Sequence, residues 1–182
     1  MILAPFELIK IWGVLILGKE KKTTKQGKNR YPFAPWLLFI YLIMLIYITF
    51  FAWNYGASLG PLGPGGKNFN LDPFKSIHQI YVYGNWKMIT QILIGNILLF
   101  VPLGFLFPLT VDHFRKSIVK PVRIMPVVLL GMVMSFLIEV NQFIFTYRVA
   151  NVDDVILNTV GALLGVLSYR IFRLFGRITY IK

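Results

Sequence analysis

Four long apolar runs, separated by polar stretches, dominate the 182-residue chain. They are "PWLLFIYLIMLIYITFFAW" (35–53), "MITQILIGNILLFVPLGFLFPL" (88–109), and the segments near 123–145 and 153–175. Crossing a bilayer core takes about 20 apolar residues at roughly 1.5 Å each. A soluble helix of that length shows a polar face at helical spacing, and these runs mostly do not. The pattern predicts an all-α polytopic membrane protein with four transmembrane helices. Trp36 and Trp53 stand where interfacial aromatics belong. Pro102 inside the second run frees the carbonyl of Leu98, which predicts a kink, and Pro126 is tolerable in the first turn of the third run. The first eighteen residues, "MILAPFELIKIWGVLILG", are interrupted by Glu7 and Lys10. They read as an uncleaved N-terminal amphipathic, membrane-associated helix rather than a fifth span.

The organisation that follows has two parts. Residues 1–34 hold the N-terminal amphipathic helix and a basic loop, and residues 35–182 form the four-helix domain, with a connecting loop at 54–87. That loop has a Gly and Pro cluster at 60–66, which signals turns. The part after it carries Phe69, Leu71, Phe74, Ile77 and Ile80 in a pattern that predicts packing over the mouth of the bundle.

Composition supports a membrane protein: charged residues make up 14% of the chain, against about 25% in a soluble domain. There is no cysteine, which excludes disulfides and thiolate sites, and His78 and His113 form no metal spacing. No cofactor is expected and no metal site is assigned, although oxygen ligands such as Glu139, Asp153 and Asp154 would suit magnesium or calcium. The net charge of +12 does not point to nucleic acid, because the basic residues flank the apolar runs. Segments 19–30, 115–123 and 170–182 hold six, four and four Lys and Arg, while loops 54–87 and 146–152 hold only four in all. This asymmetry predicts that the basic segments face the cytoplasm and meet anionic lipid head groups, that the C-terminus is cytoplasmic, and that loop 54–87 is external.

Depth then sorts the polar residues within the spans. Asn96 in the second span, Glu139 and Gln142 in the third, and Asn158 in the fourth fall at similar distances from the external side. Asp153, Asp154 and Arg148 stand just above, and Asn70 lies in loop segment "NFNLDPFKS". Ionised groups at such depth cost a few kcal/mol and face a bundle interior or a wet cavity. The expectation is one outward-opening polar cavity lined by Asn96, Glu139, Gln142, Asn158 and the acidic pair. Plainer roles compete. Asn151 is a good N-cap, and Asp153 and Asp154 suit the first turn of a helix, with Asp154 resembling a capping box. Asn96 and Asn158 can bond across helices, Gly161 and Gly165 form a G-x-x-x-G packing pair, and Arg148 can anchor at the interface or pair with Glu139.

"NFNLDPFKSI", "IGNILLFVPLGFLFPL" and "SFLIEVNQFIF…R…NVDDVILNTVGALLG" resemble, in that order, the motifs of the VanZ-like family, over about residues 68–168. The matching residues are Asn70, Pro73, Phe74, Asn96, Pro102, Gly104, Glu139, Gln142, Arg148, Asp153, Asp154, Asn158, Gly161 and Gly165. Asp72 stands where the family often has an uncharged residue. The resemblance implies a protein of the bacterial cytoplasmic membrane associated with resistance to glycopeptide antibiotics, typically the lipid-tailed teicoplanin type.

Two mechanisms remain open at this level. In the first, the cavity binds an amphiphile, either a lipoglycopeptide or a lipid-linked cell-wall precursor. Glu139 and the aspartates then accept hydrogen bonds and Arg148 meets a carboxylate or phosphate. In the second, an intramembrane enzyme modifies a lipid-linked envelope substrate, with Glu139 as general acid or base and Asp154 as its charged counterpart. Asn96, Gln142, Asp153, Asn158 and Asn70 would hold the ligand. Membrane lipid is a partner in either case, and a homo-oligomer is left open. A transporter ranks last, because the polar groups stop at the outer half of the spans.

Overall fold

The computed structural model describes residues 31–51, 69–115, 120–145 and 149–178. The N-terminal amphipathic helix expected at 1–18, the turn-rich part of the long loop, and Arg148 lie outside the described residues. Among the described residues five helices occur in chain order: α1 (Ala34–Phe51), α2 (Lys75–Tyr83), α3 (Trp86–Phe114), α4 (Ile124–Phe145) and α5 (Val152–Ile178). All but α2 are long and apolar enough to span a bilayer. Only 22–39% of the most apolar window of each is buried within the protein, so the rest must face an apolar solvent. The all-α, four-span expectation holds, with each end within a few residues of the expected one.

Where lipid is as apolar as the helix surface, association rests on close packing. The G-x-x-x-G pair of α5 supplies it. A methyl group on Gly161 would strike the carbonyl of Ile97, and one on Gly165 the carbonyl of Val101, while Gly104 of α3 lies equally close to the carbonyl of Ala162. The central α3–α5 pair is therefore in backbone contact. α1 packs on α3 through Tyr41, Leu45, Phe100 and Leu103, and α4 packs on α5. A second apolar cluster, with Ala34, Leu109, Val127, Val166 and Tyr169, closes the opposite end.

Pro102 and Pro108 both lie within α3. The Tyr41 hydroxyl donates to the carbonyl of Leu99 (2.8 Å), next to the carbonyl that Pro102 frees. Both α1, over Tyr47–Phe51, and α3, over Ile89–Ile94, widen into π-helical turns. These lie toward one end of the bundle, the end that also holds α2. We call it the loop end, and the other the basic end.

The strand content among the described residues is a two-residue parallel pair, β1 (Phe69–Asn70) with β2 (Ala150–Asn151), in register Phe69↔Ala150 and Asn70↔Asn151. It fastens the long loop to the α4–α5 turn. The loop does pack at the mouth of the bundle, but mainly through this pair: α2 buries only Ile80 and turns most of its length outward.

Candidate functional site: a polar layer beneath an apolar hollow

At the loop end the chain places side chains from α3, α4, α5 and the loop, with a backbone carbonyl of α1, near the turn into α5. Asn151 caps that helix: its Oδ1 accepts from the backbone N–H of Asp153 (3.2 Å). In a capping box, the carboxylate at the third position, Asp154, would take the N–H of the cap residue. Here that N–H donates to Oε2 of Glu139 (2.9 Å), on a different helix. Asp154 Oδ1 instead accepts from Asn96 Nδ2 of α3 (3.0 Å) and, at 3.5 Å, from Asn151 Nδ2. Glu139, Asn151, Asp154 and Asn96 thus form one connected set. Glu139 is 7% exposed, so its carboxylate points into the bundle rather than at lipid.

Asp153, fully buried, belongs to a different contact. Its Oδ1 accepts from the backbone N–H of Phe74, and its Oδ2 from those of Ser76 (2.7 Å) and Ile77 (3.1 Å). These are the orphan donors at the start of α2. Phe74, the residue before that helix, holds a left-handed φ of 65° and has no capping side chain of its own. Asp153 is therefore a cap, but for α2 rather than for its own helix. Beside it Asn70 Nδ2 donates to Ser76 Oγ (2.9 Å) and Asn151 Oδ1 (3.1 Å).

Two further contacts lie deeper. Gln142 Nε2 donates to the carbonyl of Thr49 (2.7 Å), within the π turn of α1. Asn158 Nδ2 donates to Ser135 Oγ (2.8 Å), across α5 and α4, while Asn158 Oδ1 is buried without a partner. The structure links Asn96, Glu139, Asp153, Asp154 and Asn70 through Asn151, while Gln142 and Asn158 make separate contacts with Thr49 and Ser135. Ser135 and Thr49 are additions that sequence reasoning missed, and Asn151 is a hub where only a cap was expected. Ser135 was legible: it sits one turn before Glu139 on the buried stripe Gly131–Ser135–Glu139–Gln142.

The cavity itself differs from expectation. A hollow of about 510 Å³ opens beside the layer, within the range of about 300–1,000 Å³ usual for ligand sites. Phe136, Glu139, Val140, Phe143 and Ile144 of α4 line one side at helical spacing, Phe69 and Leu71 of the loop another, and Ala150, Asn151, Val152 and Val155 the floor. Glu139 and Asn151 are its polar members. The amide-rich, acidic lining expected from depth alone is not found in this hollow: Asn96 and Asp154 turn toward each other, Asp153 toward the start of α2, Gln142 toward the Thr49 carbonyl and Asn158 toward Ser135. Glu139 reaches both regions because it sits where the buried stripe of α4 meets the hollow-facing one.

No group of acidic or histidine side chains suited to a metal occurs among the described residues. A separate polar cluster does occur at the basic end, so polar groups do not stop at the loop-end half of the spans. Asp112, fully buried, accepts from the Tyr169 hydroxyl (2.6 Å) and from Arg115 (3.4 Å), and pairs with Arg173 (3.5 Å). Sequence reasoning passed over Asp112 because it lies at the very end of its span, where depth assigns it to the head-group region.

A family model described as VanZ/LLP1 matches residues 38–173. The chain belongs to the VanZ-like family. Protein VanZ of Enterococcus faecium is 32% identical over 133 residues, 73% of this chain and 71% of that protein. No solved structure matches. The matched region includes all four spans, the polar layer and the hollow, and it leaves out the N-terminal segment and the last residues of α5. Both the polar layer and the hollow therefore lie in the part of the chain that the VanZ-like family shares.

Proposed function

We propose that the loop end faces outward from a bacterial cytoplasmic membrane. There the hollow beside Glu139 takes the hydrocarbon tail of an amphiphile, a lipoglycopeptide or a lipid-linked cell-wall precursor, in teicoplanin-type resistance. The observation that carries this reading is the lining: nine apolar side chains with Glu139 and Asn151 at the edge of the polar layer. Such a surface holds a tail and offers few groups to a sugar or peptide. The orientation is supported by the basic segments at the opposite end, and the resistance context by membership of the VanZ-like family. The head of the amphiphile would lie beside Asn70, Ser76 and the exposed ring of Phe74, with the exposed Tyr81 and Trp86 as amphipathic rings suited to an interface.

The test is binding to the purified chain in nanodiscs, comparing a lipoglycopeptide with the same glycopeptide core lacking its acyl tail. Saturable binding of the tailed form alone is expected, with the compound recovered unchanged in mass. Val140→Trp and Val155→Phe, which fill the hollow, should remove that binding while thermal melting stays near that of the parent chain. No saturable binding, or equal binding of the tail-less core, refutes the reading.

A further inference from the structure

We infer that the hollow is a slit open sideways to the hydrocarbon of the loop-end leaflet. Its ligand is then an amphiphile already anchored in that leaflet, whose tail slips in between α4 and the loop without passing through water. This rests on the proposed reading that a tail occupies the hollow, and adds the route by which the tail arrives.

The opening is long in the direction of the span. On α4 the lining residues Phe136 and Ile144 are 57% and 51% exposed, and they mark the two ends of its edge. They stand eight residues apart, which is about 12 Å along the helix axis. An opening at the end of a bundle is bordered by residues at one level, whereas one whose edge runs along a spanning helix faces sideways. Phe136 also continues into the apolar outer face of α4, where Val133 and Leu137 are half exposed. That face meets hydrocarbon, because α4 is long and apolar enough to be a span.

The end toward the loop is covered instead. There β1 lies against β2 in the pair Phe69↔Ala150, and the Phe69 ring meets Phe143 of α4 edge-on, with ring centres 6.2 Å apart. Phe69 and Leu71, both exposed, form the lip that faces α4. The two lips are therefore apolar, and Glu139 is buried behind them. Rings and aliphatic side chains held open to water would cost hydrophobic free energy, and held open to lipid they do not. A tail that enters this way stays in hydrocarbon while its head stays at the interface, so no polar group has to be desolvated on entry. A ligand with no anchor in the leaflet is not presented to the slit at all.

The test is collision accessibility, measured by power-saturation EPR on the full chain in nanodiscs with no amphiphile added. The chain has no cysteine, so single nitroxide labels can be placed at will. Val140→Cys and Val155→Cys put one inside the hollow, Leu137→Cys puts one on the outer face of α4, and Gln79→Cys puts one on the exposed side of α2. Oxygen gathers in hydrocarbon, and a neutral nickel chelate stays in water. The oxygen-to-nickel collision ratio at positions 140 and 155 should match that at 137. It should exceed that at 79 by about tenfold or more, the least that moving a polar solute into hydrocarbon should cost. Nickel collisions at 140 and 155 as frequent as at 79 overturn the side entry, and so do labels that neither reagent reaches. The two hollow positions lie on different helices, so either one decides if thermal melting shows the other variant to be misfolded. Failed lipoglycopeptide binding beside an oxygen-accessible hollow refutes the proposed function and leaves the slit standing. Successful binding beside a nickel-accessible hollow refutes the side entry alone.

Discussion

Replacing Asp153 by Asn tests whether α2 stands on a cap supplied from 79 residues away. Alone, a nine-residue helix is marginal in water. This one has no capping side chain of its own and begins after a Phe in the left-handed region. The Asp153 carboxylate offsets both defects by accepting three backbone N–H groups at the positive end of the helix. Asn keeps the shape but offers one oxygen. Turned toward Ser76 and Ile77, that oxygen leaves the amide NH₂ facing the N–H of Phe74. One part-buried donor is then orphaned, at about 1–3 kcal/mol. The two remaining bonds lose their ionic character, and charge-assisted bonds are roughly twice as strong as neutral ones.

The total is about 3 kcal/mol. Because the segment can detach without unmaking the α3–α5 core, the cost should appear as local opening. Hydrogen exchange in detergent should accelerate on the order of a hundredfold for the amides of residues 74, 76 and 77, since about 1.4 kcal/mol is a factor of ten. The interior of α3 and α5 should be unaffected. Unchanged exchange at the start of α2, or acceleration spread evenly through the spans, refutes the reasoning.

Other substitutions probe the remaining layers. Gly165→Ala drives a methyl into the Val101 carbonyl, which is backbone and cannot yield; a loss of about 1–3 kcal/mol is expected in detergent melts, against little change for the half-exposed Leu164→Ala. Tyr169→Phe removes the hydroxyl that donates to Asp112. Its melting temperature should fall by an amount matching about 1–3 kcal/mol, whereas Phe at the exposed Tyr81 should be neutral. Glu139→Gln still offers an oxygen to the Asn151 N–H and should keep fold, binding and resistance, while Glu139→Ala orphans that donor and should lower the melting temperature. A Gln variant that binds yet confers no resistance in cells would favour proton transfer over binding.

The spans were legible because a bilayer sets their length, and no competing pattern in this chain reaches 20 apolar residues. The polar layer was legible for a related reason: depth along a helix is fixed at 1.5 Å per residue, so Asn96, Glu139 and Asn158 fall at one level from spacing alone. Partners were harder to read. Gln142 bonds a backbone carbonyl of α1, which no side-chain pattern encodes. The role of Asp153 depends on the loop returning to β2, and two residues of pairing are too few for a strand signal. The apolar hollow was missed for a geometric reason. Depth gives the level of Glu139 but not which side of α4 opens, and the stripe Phe136–Val140–Phe143–Ile144 looks the same whether it faces lipid or a hollow.

That the layer is largely spent on itself limits how a ligand can be recognised. A head group drawn to Asp153 would have to displace three backbone N–H donors, and one drawn to Glu139 would compete with the Asn151 N–H. Selectivity then falls to the tail, yet a tail in the membrane is already out of water. Moving it from lipid into the hollow gains packing and little hydrophobic free energy, for the same reason that the helices themselves associate through small residues. A resident lipid chain is thus the expected occupant until a better-fitting tail replaces it. Referred to ligand already in the bilayer, affinity should change with tail shape and branching. It should rise with length by much less than the ~0.8 kcal/mol per methylene of transfer from water. Titrations in nanodiscs with a series of acyl lengths, corrected for partitioning, measure that slope. A slope at the full transfer value would mean that the tail arrives from water, and that the hollow does not lie at the level of the hydrocarbon.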